Sequence, residues 1–452
     1  MKYRSVPLTP AARAVILFCL VLSGLVAAAD AEVFQARRQR LAAAIPEGIA
    51  MVQSSARNQA NLYEFFVPNS DNHDFIYLTG LETPGATLVL CPGSAEYPEI
   101  LYVDAEPGAV RSATGIAHVY PVKNLMRDLS NAYTDYSQLR YTQRRFKPLS
   151  SEISRVLYND GGPKVIYFNY PRFVNLDEPP PERLDLARRI AAFSPKYELR
   201  DLADILDPIR MAHDEYAVTQ LREAARISGR AMMECMRSTR PGLTEDQVAA
   251  LFDFACRYQG ATRFGFPTSV HAGPRSLDEG EDRPVRVLRA GDLVTIDAGA
   301  EINHYTADIQ RTFPVSGTFT PEQRRVYDIL KQAQDACIRM VRPGVTMQDL
   351  QNEARRVLDE AGGYGRYFFW GTSHFLGMEV HDHGNNLVPL VPGACITVEP
   401  GIMLPDFTII LEDDVLCTAT GYEWLTAFIP REPEDIERLM QKEGIVDTIH
   451  LE

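Results

Sequence analysis

The spacing of hydrophobic positions changes several times along the chain, and each change marks an element. An unbroken apolar run covers 14–26, preceded by Lys2, Arg4 and Arg13 and followed by Ala29-Asp30-Ala31. At about 13 residues it is shorter than the ~20 that span a bilayer, so residues 1–31 read as an export signal with a small-residue cleavage site, not an anchoring helix. The mature chain then opens on a basic helix carrying Arg37, Arg38 and Arg40, followed by short strands at 86–91 and 100–103. Pro179, Pro180 and Pro181 end a segment; helical spacing returns at 184–192, and 197–206 runs on to a boundary at 205–210. Beyond it, 214–237 reads as a long amphipathic helix. After a turn at Gly242, Thr244-Glu245-Asp246 opens another by N-cap logic. Past Gly291 the period shortens to that of strands at 293–298 and 305–314, then a helix at 321–341. A second round repeats the outline, with a helix at 347–361 and strands at 394–399 and 408–417, which hints at an internal duplication.

Composition makes this a globular chain of two domains. Its 452 residues are 45% hydrophobic and 23% charged, which excludes a disordered tail, a collagen-like repeat and a disulfide-stapled miniprotein. Sixty acidic against 46 basic side chains give a net charge of -14, so no broad footprint for nucleic acid or anionic lipid is expected, while acidic groups remain to hold cations. The basic cluster Arg140, Arg144, Arg145 and Lys147 reads as a solvated face. Once the signal is removed, Cys91, Cys235, Cys256, Cys337, Cys395 and Cys417 remain, without C-x-x-C spacing and inside apolar stretches, as expected of buried free thiols. H-E-x-x-H, G-x-S-x-G, Walker A and G-x-G-x-x-G patterns are missing.

The candidate chemistry lies in acidic pairs. A two-residue turn at Ile302-Asn303 sets Asp297 opposite Asp308. Cβ atoms of such partners lie about 4.5–5.5 Å apart, close enough to share metal ions ~3.5–4 Å from each other. Either aspartate alone would be an ordinary solvated hairpin residue, but Asp297 ends an apolar strand, where an unpaired charge is expensive. A turn at Pro405-Asp406 likewise sets Glu399 opposite Glu412, and His374 stands between the pairs, followed by His381 and His383. Four carboxylates neutralise two divalent ions. One imidazole adds a nitrogen that magnesium or calcium seldom needs, which points to manganese, cobalt, iron or zinc. Two such ions can hold a bridging hydroxide and polarise an amide carbonyl, leaving proton handling to a nearby His and Glu.

The order Asp297, Asp308, His374, Glu399, Glu412 stands in Ile-Asp-Ala-Gly, Asp-Ile-x-Arg-Thr-Phe, Val-His-Asp, Val-Glu-Pro-Gly and Glu-Asp-Asp contexts. It resembles the dinuclear metallopeptidases of the pita-bread fold, which include aminopeptidase P, prolidase and methionine aminopeptidase. Upstream, Arg37-Arg38-x-Arg40-Leu41 and the segment Asp74-Phe75-Ile76-Tyr77-Leu78-Thr79-Gly80-Leu81 resemble the amino-terminal domain of aminopeptidase P. Methionine aminopeptidases lack that domain. The resemblance therefore implies an α/β (α+β) protein with a creatinase-like amino-terminal domain at 32–207 and a pita-bread catalytic domain at 208–452. It implies removal of the first residue from peptides with proline second, with two divalent ions, manganese above all, as cofactor. By the same resemblance Asp297 and Asp308 bind one metal, Asp308 bridges, His374 completes the second site, and Glu399 and Glu412 finish the set with Glu412 bridging. His381 contacts the substrate or stabilises the tetrahedral intermediate, and Glu399 shuttles the proton. Family members commonly form dimers or tetramers, so a homo-oligomer is implied; the signal-like segment 1–31 implies export to a periplasm or the exterior.

Three positions depart from the pattern. The stretch around Gly280 reads Asp278-Glu279-Gly280-Glu281 where aminopeptidase P-like proteins carry a His in a Leu-His-Tyr segment. Ile410 and Trp370 replace an Arg and a His that flank the metal residues in the family. His271, in a loop entering the site, is the candidate replacement for the missing histidine, and Trp370, with Tyr367, Phe368 and Phe369, the candidate wall of a proline pocket. Prolidase action on Xaa-Pro dipeptides, and a metal-binding pseudoenzyme or peptide-binding protein, are the alternatives these departures leave open.

Overall fold

A computed structural model of the protein describes residues 31–54, 73–129, 164–171, 184–193, 197–274 and 285–448. The segment 1–30 of the expected signal, the basic cluster at 140–147 and the stretch around Gly280 lie outside these residues. The chain divides into two compact units, the second beginning at Arg210. No helix among the described residues is long and apolar enough to cross a membrane.

The first unit is built on a six-stranded mixed sheet of order β4-β3-β2-β1-β5-β6. Its strands are β1 (Ile49–Gln53), β2 (Thr87–Leu90), β3 (Glu99–Tyr102), β4 (His118–Tyr120), β5 (Lys164–Phe168) and β6 (Tyr197–Asp201). β1 and β2 are buried along almost their whole length, which is why their sequences run apolar without alternating. In the basic helix at 31–44, Arg37 and Arg38 are fully buried. Arg37 donates to the carbonyl of Tyr77 at 3.2 Å. Arg38 donates to the carbonyls of Leu78 at 2.9 Å and Thr114 at 2.8 Å, and pairs with Glu99 at 2.8 Å. Those carbonyls end the helices His73–Thr79 and Pro107–Thr114, so the guanidiniums satisfy helix-end acceptors that would otherwise be buried unpaired.

The second unit carries the acidic pairs. Its main sheet has the order β13-β15-β12-β9-β8, made of β8 (Ser269–Ala272), β9 (Leu293–Ala298), β12 (Ile309–Pro314), β13 (Cys395–Val398) and β15 (Thr408–Cys417). Strands β14 (Gly401–Met403) and β16 (Tyr422–Trp424) also pair with β15, and β7 (Arg263–Phe264), β10 (Ala300–Ile302) and β11 (Tyr305–Thr306) form a small side sheet. Helices Glu215–Ser238 and Glu245–Tyr258 precede the first round of strands, and Pro321–Met340 and Met347–Glu360 the second. Three of the four begin in a threonine capping box, at Thr244, Thr320 and Thr346, and Asp214 caps the other. Their apolar faces meet the sheet in one core that includes Met236, Phe252, Ile296, Phe313, Leu330 and Ile396.

One hairpin differs in register from expectation. Ile302 pairs with Tyr305, so the turn is Asn303-His304 and not Ile302-Asn303. Both turn residues take positive φ, 48° and 67°, a conformation that β-branched Ile302 would resist. Asp297 therefore faces Gln310 and not Asp308. The slip is of two residues, so Asp308 keeps its face of the sheet. The strand expected at 305–314 is broken at Ala307 and Asp308, where the partner chain bends at Gly299. A Cβ on Gly299 would lie 1.7 Å from the carbonyl oxygen of Ala307. The second hairpin has the expected register: Met403 pairs with Thr408 and Val398 with Asp413, closing on Pro405-Asp406.

Candidate metal centre

Strand register aligns Ser269, Asp297, Gln310 and Glu412 in one row across β8, β9, β12 and β15. Side chains in such a row share a face. Asp308, two positions before Gln310, falls beside Asp297, and Glu399, just beyond β13, continues the register that places it against Glu412. His374 enters from the preceding segment. Its backbone carbonyl accepts from Thr397 N–H at 3.0 Å, and its own N–H donates to Thr397 Oγ1 at 3.2 Å. The Thr397 hydroxyl donates in turn to Glu399 Oε1 at 3.3 Å, so one side chain on β13 sets both residues.

The structure brings together all five residues expected to bind metal. His374 Nε2 lies 3.4 Å from Asp308 Oδ2, 3.4 Å from Glu399 Oε1 and 3.8 Å from Glu412 Oε1. Its Nδ1 is 3.1 Å from the carbonyl oxygen of Phe375, which can only accept, so Nδ1 carries the proton. In the neutral ring the Nε2 lone pair then faces three carboxylate oxygens. Asp308, His374 and Glu412 form a group whose ligand atoms lie within 4.8 Å of one another.

Electrostatics give the same picture. Burial lifts the Asp297 carboxyl well above the usual carboxylate range, helped by the Asp308 charge and a hydrogen bond to it, and opposed by His374. Asp308 is pushed up to about 8 by burial, against the hydrogen bond with Asp297. Burial lifts Glu399 to about 8 as well, opposed by His374, helped by the Asp308 and Asp297 charges and opposed again by the Thr397 hydroxyl. Glu412 is raised by burial and by Asp308, Glu399, Asp297 and Asp414. Four buried carboxylates cannot all ionise without cations among them. Asp297 Oδ1 and Asp308 Oδ1 are moreover buried without a hydrogen-bond partner. Orphaned acceptors, crowded carboxylates and an imidazole lone pair aimed at them fit divalent metal, which the chain could hold through these five side chains.

The other candidates are placed differently. The His381 ring stands edge-on to His374, centroids 4.4 Å apart at 75°. Burial first, then His374, pushes it down to about 4 against the pull of Glu379, so it is a neutral imidazole at neutral pH. Trp370 lies against the site's rim: its indole N–H donates to the Glu399 carbonyl at 3.3 Å, and its ring covers Gly401, where a Cβ would meet it at 1.9 Å. Of its aromatic neighbours, Phe368 is buried in the core and Phe369 is 69% exposed. His271 is not in a loop. It sits on β8 opposite Thr295, its Nε2 2.8 Å from the hydroxyl of Ser269, the residue that faces Asp297. Ile410 is a buried residue of β15 opposite Gly401.

Sequence reasoning missed the layer behind the carboxylates. Fully buried Arg311 on β12 donates to Asp413 Oδ1 at 2.6 Å and to the carbonyl of Glu412 at 2.5 Å. Asp413 also accepts from Thr426 at 2.6 Å and Gln334 at 2.9 Å, and Asp414 accepts from Asp308 N–H at 3.2 Å. The signal was a charged residue at every position of 412–414 inside an apolar strand, where alternation forces Asp413 to the face opposite Glu412.

Two family models match the chain: metallopeptidase family M24 over residues 219–419 and the aminopeptidase P amino-terminal domain over 34–140. The chain is 28% identical over 440 residues to the Xaa-Pro aminopeptidase of Escherichia coli K12, covering 90% of this chain and 97% of that one. It is 34% identical over 235 residues to the Xaa-Pro dipeptidase of Pyrococcus furiosus, covering 51% of this chain and 67% of that one. Among solved structures, the proline aminopeptidase P II of Yersinia pestis superposes with a TM-score of 0.72 at 26% identity, over 91% of this chain and 99% of that one. With the acidic quartet and histidine assembled on a sheet of the same architecture, the chain belongs to metallopeptidase family M24, as an aminopeptidase P-like member.

Proposed function

We propose that this protein is a metal-dependent exopeptidase that releases the amino-terminal residue from peptides with proline at the second position. The observation that carries the reading is the His374 lone pair directed at Asp308, Glu399 and Glu412 beside the orphaned oxygens of Asp297 and Asp308. Relatives spanning both units include Xaa-Pro aminopeptidases.

Asp297, Asp308 and Glu412 would hold one ion, and Asp308, His374, Glu399 and Glu412 the other. When bound, a pair of manganese ions supplies an activated water and polarises the scissile carbonyl. The remaining work belongs to the chain. Glu399 takes a proton from water and delivers it to the departing proline nitrogen. His381, kept neutral, donates a hydrogen bond to the oxygen that gains charge as the carbonyl becomes tetrahedral. Trp370, packed against Gly401 beside Glu399, offers a wall for the proline ring, and the Ser269-His271 pair borders the Asp297 side. The segment 1–31 directs export of the chain.

Mass spectrometry of peptides with and without proline at the second position, incubated with manganese-loaded mature protein, tests the reading. Loss of the first residue alone, and only before proline, is expected. The 34% identity to a dipeptidase makes an Xaa-Pro dipeptide the necessary comparison. Cleavage of the dipeptide alone would assign prolidase action, and bound metal without any cleavage would assign a binding protein.

A further inference from the structure

Behind His381 lies a buried charge cluster that the chemistry above does not use. Arg210, Glu379, Asp382 and His383 have side chains at most 9% exposed. Arg210 Nη2 lies 2.8 Å from Asp382 Oδ1 and 3.8 Å from Glu379 Oε1, and His383 Nε2 lies 3.2 Å from the same Glu379 oxygen. The spacing of Glu379, Asp382 and His383 would suit a metal ion. The guanidinium already occupies the cationic role there, so no ion is required to neutralise the two carboxylates.

The cluster acts on the backbone that carries His381. Asp382 Oδ2 accepts from Met378 N–H at 2.9 Å and Asp382 Oδ1 from His383 N–H at 2.8 Å. The Asp382 N–H donates to the carbonyl of Phe375, next to His374, at 2.9 Å. The carboxylate also lies directly on Gly377, where a Cβ would come within 2.0 Å of Oδ2. Asp382 thus ties 375, 378 and 383 together, the last two through its carboxylate and the first through its backbone N–H, with His381 between them. The His381 ring touches His374 edge-on and, among the described residues, makes no hydrogen bond, so its direction is inherited from this turn. We propose that Arg210 is a positioning residue for His381: by holding Asp382 and Glu379 it fixes the turn 377–383 and sets the His381 ring against His374.

The inference rests on the peptidase reading for its kinetic test, and a spectroscopic test stands apart from that reading. Arg210→Met and the milder Asp382→Asn are each made alone and with His381→Ala, as manganese-loaded enzymes assayed on a tripeptide with proline second. Either variant should lower kcat by about ten-fold or more while KM changes little, and should cost nothing further once His381 is alanine. Losses that multiply in the double variants would overturn the proposal, because a general weakening of the fold does not depend on His381. In histidine-labelled, zinc-loaded protein, the NMR signals that vanish in His381→Ala should move in Arg210→Met or Asp382→Asn. Unmoved His381 signals in both variants overturn it. If the wild-type enzyme cleaves no peptide, the peptidase reading fails and the NMR result alone decides on Arg210.

Discussion

Replacing Arg311 by methionine isolates what the hidden layer contributes to the site. Both Arg311 and Asp413 are completely excluded from solvent, so the variant leaves a carboxylate buried without its countercharge. Breaking one side of such a pair costs about 3–5 kcal/mol. Asp413 keeps its bonds from Thr426 and Gln334, which places the loss towards the lower end, about 3 kcal/mol. For a unit of this size that corresponds to a fall of about 6–12 °C in melting temperature. The chain's two tryptophans, Trp370 and Trp424, both belong to the second unit, so their fluorescence during urea titration reports that unit alone. The midpoint should fall without a change in slope. Adding Asp413→Asn removes the stranded charge and should recover about 1 kcal/mol or more. A loss below about 1 kcal/mol for Arg311→Met, or a double variant less stable than the single one, would refute the reasoning.

Other expectations follow from the carboxylates and their supports. Asp308 and Glu399 are lifted to about 8 in the folded metal-free chain, above their unfolded range near ~4, so between those values the folded state binds more protons and stability is lost as pH rises. Chelator-treated protein should therefore melt at a lower temperature at pH ~8 than at pH ~5.5, and manganese added at neutral pH should release protons; a metal-free protein that gains stability across this window contradicts the assignment. Thr397→Val keeps the shape of β13 but removes the hydroxyl between His374 and Glu399, and should weaken metal binding by about 10–100-fold in calorimetry; unchanged affinity would show that the hydroxyl sets neither ligand. Gly299→Ala drives a Cβ into the Ala307 carbonyl and should cost about 1–3 kcal/mol by the same fluorescence titration, an effect that an intact variant melting with wild type would disprove.

Much of the centre is legible in the sequence. The N-cap at Thr244 and the short Pro405-Asp406 turn could be read directly, because capping and turn chemistry are local. The Asn303-His304 turn was misjudged through a local rule left unused: Ile302 is β-branched and disfavours positive φ, whereas Asn tolerates it. Arg37 and Arg38 are buried against carbonyls far along the chain that no periodicity reveals. The cluster around Arg210 was illegible for the same reason: Arg210 and Asp382 stand 172 positions apart. The loop expected around His271 is a strand, because pairing with β9 carries β8 as far as Ala272.

The central claim is that Asp297, Asp308, His374, Glu399 and Glu412 hold two ions that serve Xaa-Pro cleavage. Titrating chelator-treated protein with manganese in a calorimeter, while following hydrolysis of a tripeptide with proline second, tests it most directly. The account predicts two ions bound per chain and release of only the first residue, with both the second ion and the activity lost in Asp308→Asn. Full metal loading with no cleavage before proline, or cleavage that persists in the metal-free protein, would contradict it.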